Sequence, residues 1–216
     1  MDSSGTGEGD GTANSLFADG RAPAALTRSF SICRGDISVI IRRAVTSLLF
    51  AVINCAAMIF DTPTHYFVCA GQAEGYSPLN AFDQALIDAG VGDLNLVRLS
   101  SILPPRCKKV EPFELPGGAL VPVAYSKMYS STPGEVISAA VAIAIPEDGD
   151  LPGLIMEHHG AGPLSEVLEQ VHEMAIQGMG HRRRAVADVL SVGESHKVER
   201  HGAVFAGVVM WNGARG

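Results

Sequence analysis

The chain contains 216 residues, of which 47% are hydrophobic and 18% are charged, a composition that predicts one folded domain with a sizeable core. The formal net charge is -7, and the excess of acids lies in residues 58–216, which hold 18 acidic and 11 basic side chains. A negative surface of this kind gives no electrostatic support to nucleic-acid binding, so we expect no such partner.

The first 57 residues differ in character from the rest of the chain. Residues 1–24 are rich in Gly, Ser, Ala and Asp and have no periodic apolar face, which predicts disorder. Residues 44–60 are almost entirely apolar, but polar residues interrupt them and they fall short of the ~20 residues that a membrane span needs. We expect that translation begins at Met58 and that residues 1–57 are an over-extended start, with a secretory signal as the alternative.

The apolar patterns after position 58 predict strands and helices in alternation. A strand over residues 64–70 is followed by a helix that begins at Pro78 and ends just before Gly90. The apolar face of this helix is predicted to contain Leu79, Phe82, Leu86 and Ile87. A strand over residues 94–102 comes next.

Further strands and one long helix are predicted in the second half. The strands lie, in chain order, at residues 119–129, 136–145, 151–157, 185–197 and 202–211. The first two are expected to form an antiparallel pair, and the last two are expected to form a closing strand pair. The clearest helix covers residues 164–179. Because strands outnumber helices and helices occur in two places, we expect an α+β fold with two mainly antiparallel sheets packed face to face and a helix layer outside each.

A serine pair marks the most informative part of the chain. The run from Asn95 to Pro105 reads Asn-Leu-Val-Arg-Leu-Ser-Ser-Ile-Leu-Pro-Pro, so Ser100 and Ser101 end an apolar stretch and meet two prolines. The prolines remove two backbone donors, so a regular strand cannot continue through them. A serine pair at a strand end is by itself usually a loop. Nothing in the run suits a serine that works with a histidine base, whereas the run does suit a chain that cleaves itself.

The run closely resembles the self-processing site of pyruvoyl-dependent arginine decarboxylases, and the resemblance extends from Pro63 to Trp211. The segments that carry it are, in order, residues 73–83, 92–95, 95–105, 118–122, 133–135 and 153–157. Each segment is modest, but their order and spacing together make the match specific. The resemblance implies a four-layer αββα sandwich, a homotrimer with active sites between subunits, and a covalent pyruvoyl cofactor made from Ser101.

The chemistry of such a site explains why a serine follows the bond that is cut. The Ser101 hydroxyl attacks the carbonyl carbon of Ser100 and converts the amide to an ester. Elimination across the Cα–Cβ bond of residue 101 frees residues 1–100 and leaves dehydroalanine, which hydrolyses to a pyruvoyl group. The attack requires a held geometry and a donor for the developing oxyanion, and Asn95 is the polar group that we expect nearby.

Glu157 is the expected acid of the reaction. It is predicted to end the strand that contains Leu154–Met156, so its neighbours are apolar, and such surroundings favour a protonated carboxyl group. Taken alone, a carboxylate at a strand end is more often simply exposed to solvent. The resemblance implies that Glu157 protonates the substrate Cα after carbon dioxide leaves.

Asp83 is the expected partner of the substrate side chain. Taken alone it reads as a solvated charge on the first helix, but the resemblance implies that it faces the guanidinium of arginine, which pairs well with a carboxylate. The carbonyl groups of Leu79, Gly92 and Leu94 are implied to complete the pocket. Gly92 would also allow a close backbone approach.

These residues together lead to one interpretation and two alternatives. We interpret the chain as a pyruvoyl-dependent decarboxylase that converts L-arginine to agmatine and carbon dioxide in the cytoplasm. One alternative is the same chemistry on another basic amino acid. The other is an unprocessed homologue that binds a cationic metabolite without catalysis.

No metal site is expected. The four cysteines are not in CxxC spacing, so they favour neither a disulfide framework nor a zinc site, and Cys69 is predicted to be a small core residue. His158 and His159 are adjacent on a predicted strand and point to opposite faces, so they do not suit one ion. Free thiols fit a reducing cytoplasm.

Overall fold

The structure is a computed structural model and describes residues 61–212. Within these residues the elements are β1 (His65–Glu74), α1 (Pro78–Asp88), β2 (Asn95–Arg98), β3 (Ile102–Leu103), β4 (Lys108–Lys109), β5 (Leu120–Ser130), β6 (Val136–Pro146), β7 (Gly153–Ala161), α2 (Leu164–His181), β8 (Val186–Lys197) and β9 (Gly202–Trp211). The expectations for residues 1–57 lie outside the described part of the chain. Neither α1 nor α2 combines the length and apolar character that a membrane crossing requires.

The strands form two sheets in which most neighbours are not consecutive along the chain. One sheet has five strands in the order β2-β5-β9-β1-β4, and the other has four in the order β3-β7-β6-β8. The pairs β2–β5 and β1–β4 are parallel, and the other pairs are antiparallel. The inner strands β6 and β9 are buried over Ile137–Ala144 and Gly202–Met210, which explains why their sequences are almost continuously apolar.

Three apolar layers hold the sheets and helices together. Between the sheets, Val208 of β9 belongs to the same buried cluster as Val141 of β6. On the outer face of the five-stranded sheet, Ala85 of α1 clusters with Phe205. On the outer face of the four-stranded sheet, Val171 of α2 packs with the alternate alanines of β6. The expected α+β fold, a four-layer αββα sandwich, is therefore confirmed.

Both predicted strand pairs are wrong. Strands β5 and β6 are consecutive in the chain but lie in different sheets, and the same is true of β8 and β9. The two connections, β5 to β6 and β8 to β9, each cross from one sheet to the other. They are hydrogen-bonded to each other: the Gly134 N–H donates to the Val198 carbonyl (2.7 Å), and the Val198 N–H donates to the Glu135 carbonyl (2.8 Å). The alternation of apolar residues shows which faces of a strand are buried, but it does not show which strand lies beside it.

The strand predicted over residues 94–102 is divided between the two sheets. Its first part, Asn95–Arg98, pairs with β5, whereas Ile102–Leu103 pairs with β7. The residues between them, 99–101, are not in a strand. The chain therefore leaves one sheet and enters the other at the serine pair.

The buried face of α1 also differs from the prediction. Leu79 and Ile87 were expected in the apolar face, but they are 76% and 52% exposed, whereas Ala81 and Ala85 are fully buried. Small residues on this face allow the helix to lie close to β1. A Cβ atom added at Gly71 would be only 2.4 Å from the Ala85 carbonyl oxygen, so glycine is required there.

Glu74, at the end of β1, fixes the connection between β8 and β9. Its carboxylate accepts the backbone N–H groups of Glu199, Arg200 and His201 at 2.8, 3.0 and 2.9 Å, and it contacts His196 Nε2 at 2.7 Å. Burial raises the pKa of Glu74, but these hydrogen bonds outweigh burial and lower the pKa to about 2.

Candidate active site

The candidate site lies where the chain crosses between the sheets. The Leu99 N–H donates to the Val123 carbonyl of β5 at 3.1 Å, and the Ser101 carbonyl accepts from the Ile155 N–H of β7 at 2.9 Å. Ser126 Oγ joins the same two strands by donating to the His158 carbonyl at 2.8 Å. The five-stranded sheet therefore holds the chain just before the peptide bond between Ser100 and Ser101, and the four-stranded sheet holds it just after.

The backbone at Ser101 is strained. Its φ angle is +74°, in the left-handed region that non-glycine residues avoid, and such a conformation costs of order 1–3 kcal/mol. Within residues 61–212, no hydrogen-bond donor contacts the Ser100 carbonyl oxygen. The carbonyl group that self-cleavage would attack therefore has no oxyanion donor among the described residues, and Asn95, which was expected to supply one, bonds to Gly118 instead.

Ser101 and Glu157 meet at this crossover although 56 residues separate them. Ser101 Oγ–H donates a short hydrogen bond to Glu157 Oε1. The Glu157 side chain is 14% exposed, so solvent has little access to its carboxylate. A carboxylate that accepts the hydroxyl proton is suited to activate a serine nucleophile.

The surroundings of Glu157 differ from the prediction in two ways. Glu157 lies inside its strand and does not end it, because β7 continues to Ala161. Within β7, Glu157 pairs with Val141 of β6. Its neighbours are also not only apolar, because Arg98 Nη2 donates to Glu157 Oε2 at 2.9 Å. The sequence interpretation had placed only apolar groups beside Glu157 and did not include this ion pair.

Arg98 is the residue of this site that the sequence interpretation missed. Its Nη2 also donates to the Tyr125 carbonyl at 3.2 Å, and its Cζ lies 4.9 Å from the centroid of the Tyr125 ring. The available signal was a cation three residues before Ser101 in an otherwise apolar run. That signal could not identify Glu157 as the partner, because the ion pair joins two different sheets.

The residues expected to bind arginine lie in other parts of the fold. Asp83 is exposed on α1 and makes no hydrogen bond or ion pair with the described residues. Gly92 and Leu94 line an open cleft of about 490 Å³, and Leu79 lines a separate one of about 250 Å³ beside Lys127. A Cβ atom at Gly92 would lie 2.5 Å from a side-chain carbon of Ile87, so the Ile87 side chain leaves no room for a larger residue there.

Asn95 also lies away from the serine pair. Its Nδ2 donates to the Gly118 carbonyl at 2.7 Å and so holds the turn before β5 against the start of β2. No described hydrogen bond joins the Asn95 side chain to Ser100 or Ser101, which lie beyond the end of β2. One chain therefore contains two groups of predicted site residues, one around Ser101 and Glu157 and the other around α1 and the start of β2, and no described contact joins them.

The arrangement around Ser101 fits a cofactor made from the chain itself. A strained serine, a carboxylate on its hydroxyl and a free preceding carbonyl are the groups that the acyl shift requires. Within residues 61–212, no three His, Cys, Asp or Glu side chains are grouped to bind a metal ion.

Comparison with known proteins supports this interpretation. The family model for pyruvoyl-dependent arginine decarboxylase (PvlArgDC) matches residues 65–214. A protein from Methanocaldococcus jannaschii with that name is 45% identical over 161 residues, which cover 74% of this chain and 98% of that protein. One from Methanococcus maripaludis is 38% identical over 152 residues, 70% of this chain and 93% of that protein. A solved pyruvoyl-dependent histidine decarboxylase aligns with a TM-score of 0.39 and 15% identity over 46% of this chain and 53% of that chain.

Proposed function

The chain belongs to the pyruvoyl-dependent arginine decarboxylase family, and from this premise we propose that it cleaves itself between Ser100 and Ser101 and then converts L-arginine to agmatine and carbon dioxide. One observation carries the proposal: the Ser101 hydroxyl donates a hydrogen bond to the Glu157 carboxylate at the point where the strained backbone is held by both sheets. The family name supports the enzyme class, the substrate and a covalent pyruvoyl group.

Self-cleavage follows from the contacts of Ser101. Glu157 accepts the hydroxyl proton as Ser101 Oγ bonds to the Ser100 carbonyl carbon, and the C–N bond breaks to leave an ester. Elimination across Cα–Cβ of residue 101 then releases residues 1–100 with a free carboxyl terminus at Ser100. The dehydroalanine that remains takes up water and loses ammonia. Relief of the strained φ at residue 101 favours the forward direction.

In the finished enzyme, the pyruvoyl group supplies the carbonyl that takes up the electron pair left on the substrate when carbon dioxide departs. Glu157 is placed beside residue 101 and delivers a proton to the substrate Cα as a general acid. Asp83 pairs with the substrate guanidinium, whose planar fork of N–H donors suits a carboxylate. The carbonyl groups of Leu79, Gly92 and Leu94 accept its remaining N–H groups.

We infer that the enzyme is a cytoplasmic homotrimer in which each active site lies between two subunits. Two observations support this assembly. Within one chain the Ser101 group and the Asp83 group lie apart, so neither is a complete site. Large apolar side chains are exposed around α1, with Tyr76 at 86%, Leu79 at 76% and Tyr129 at 55%, as is typical of a protein interface. In the trimer, Asp83 and Asn95 of one copy face Ser101 of the next.

A complementation experiment tests this function and assembly together. The Ser101→Ala and Asp83→Asn chains are first produced separately, and each is expected to show impaired decarboxylation. The two chains are then co-expressed so that mixed assemblies form. In a closed ring with sites between neighbours, random mixing creates intact sites at about a quarter of positions, and arginine decarboxylation returns. Mixed protein that is no more active than its parents would refute shared sites.

A substrate comparison tests the specificity separately. The unmodified enzyme is assayed for carbon dioxide release with arginine, lysine and ornithine, and we expect arginine to be preferred because lysine lacks the planar fork. Asp83→Asn should lower kcat/KM for arginine by an amount equivalent to ~2–5 kcal/mol. A preference for lysine or ornithine in the unmodified enzyme would contradict the guanidinium assignment but not the cleavage chemistry.

A further inference from the structure

Arg98 has a larger set of contacts than a surface charge requires. One nitrogen, Nη2, donates both to Glu157 Oε2 at 2.9 Å and to the Tyr125 carbonyl at 3.2 Å, while the guanidinium stacks on the Tyr125 ring. The Arg98 side chain is nevertheless 57% exposed, so burial alone does not hold it in place. These contacts fix the orientation of a group whose described ionic partner is Glu157.

We propose that Arg98 is a positioning residue for Glu157: it holds the carboxylate so that Oε1 faces residue 101, both before and after cleavage. The inference rests on the proposed function, because Arg98 acts through Glu157. One carboxylate oxygen bonds to Arg98, and the other remains directed at Ser101 Oγ.

The need for such an anchor follows from the flexibility of glutamate. A long side chain loses rotamer entropy when one orientation is imposed, so a single hydrogen bond to a serine does not hold it firmly. Within residues 61–212, no other cation contacts Glu157. Loss of Arg98 would leave a largely buried carboxylate with one partner, free to turn away from residue 101.

The position of Arg98 along the chain gives this anchor a second consequence. Arg98 precedes the cleavage point, so it belongs to the fragment 1–100, whereas Glu157 belongs to the fragment that begins at residue 101. Strand β2 remains paired with β5 over Asn95–Arg98, which keeps the guanidinium in place when the bond is cut. The amino-terminal fragment therefore remains part of the finished active site and contributes a charge to it.

The test compares Arg98→Gln and Arg98→Lys with the unmodified enzyme. Arg106→Gln serves as the matched control, because Arg106 is 76% exposed and pairs with Asp150. Cleavage is measured by intact mass. The kcat for arginine is expressed per cleaved chain, and KM for arginine is measured in the same assay. We expect Arg98→Gln to lower kcat by about 10²-fold with little change in KM, since misplacing a reacting group by about 1 Å has this effect. Arg98→Lys should retain part of the kcat that Arg98→Gln loses, and Arg106→Gln should have an unchanged kcat.

A further readout separates positioning from a general structural effect. In a Glu157→Gln background, Arg98→Gln should cause no further loss of kcat, because both changes remove one function.

The outcomes distinguish this inference from the proposed function. An unmodified chain that releases no carbon dioxide from arginine would overturn both. An active enzyme whose kcat is unchanged by Arg98→Gln would overturn the positioning role alone, and so would a rise in KM alone or a full additional loss in the Glu157→Gln background. If Arg98→Gln does not fold, Arg98→Lys decides: a reduced kcat with little change in KM supports positioning, and an unchanged kcat refutes it.

Discussion

Replacement of Glu157 by glutamine isolates the chemistry of the site from its shape. Glu157 contacts Ser101 through one oxygen and Arg98 through the other, and only 14% of the side chain is exposed. Glutamine has nearly the same volume but cannot donate an acidic proton. Its amide oxygen can still accept from Arg98 while its amide N–H donates to the Ser101 hydroxyl, so the shape and both contacts are kept and only the acidic proton is removed.

The expected effect is a large loss of turnover with substrate binding retained. Removal of a general acid typically costs ~10²–10⁴ in rate, which corresponds to about 3–5 kcal/mol in the activation barrier. We expect Glu157→Gln to lower kcat by this factor and to leave KM for arginine nearly unchanged. Self-cleavage should also be slower, because Glu157 accepts the Ser101 proton.

The assay must separate these two effects. Carbon dioxide release from arginine is measured under saturating conditions and divided by the fraction of cleaved chains, which intact mass determines. Glu169→Gln, an exposed glutamate on α2 remote in sequence from the crossover, is the matched control and should behave as the unmodified enzyme. A kcat per cleaved chain close to that of the unmodified enzyme would show that another group protonates Cα, and the assignment of Glu157 would be wrong.

Three other expectations follow from the fold and the site. Ser101→Ala should give one uncut, inactive chain on a denaturing gel, because no hydroxyl remains to attack, and a cut at the same bond would contradict the mechanism. A chain that begins at Met58 should fold, cleave and turn over like the full chain, since the family match covers residues 65–214, and loss of soluble protein would contradict this. Glu74→Gln should lower the free energy of unfolding at pH 7 by about 1–2 kcal/mol. Because the pKa of Glu74 is lowered from 4.5 to about 2, its contribution is complete above about pH 4.5 and is lost as the pH falls towards 2, so thermal melting at pH 7 and pH 3 should differ less in the variant.

The sequence by itself determined where the helices and the long strands lie. Both described helices were located, and Val167, Val171 and Ala175 form the buried face of α2. Cys69 is buried as expected, and burial raises the pKa of its thiol to about 12. The two prolines after Ser101 predicted that no long strand continues past them, although the strand itself ends earlier, at Arg98. These features are local, because they depend on the conformational preferences and polarity of neighbouring residues.

Only the tertiary structure decided which elements lie side by side. It placed consecutive strands in different sheets, brought Glu157 to Ser101, supplied Arg98 as the partner of Glu157, and kept Asp83 apart from all three. Strand alternation identifies an apolar face without identifying its neighbour, so the path of the chain between two sheets leaves no periodic trace in the sequence. Contacts between residues far apart in the chain depend on how whole layers pack, and packing is a property of the folded molecule.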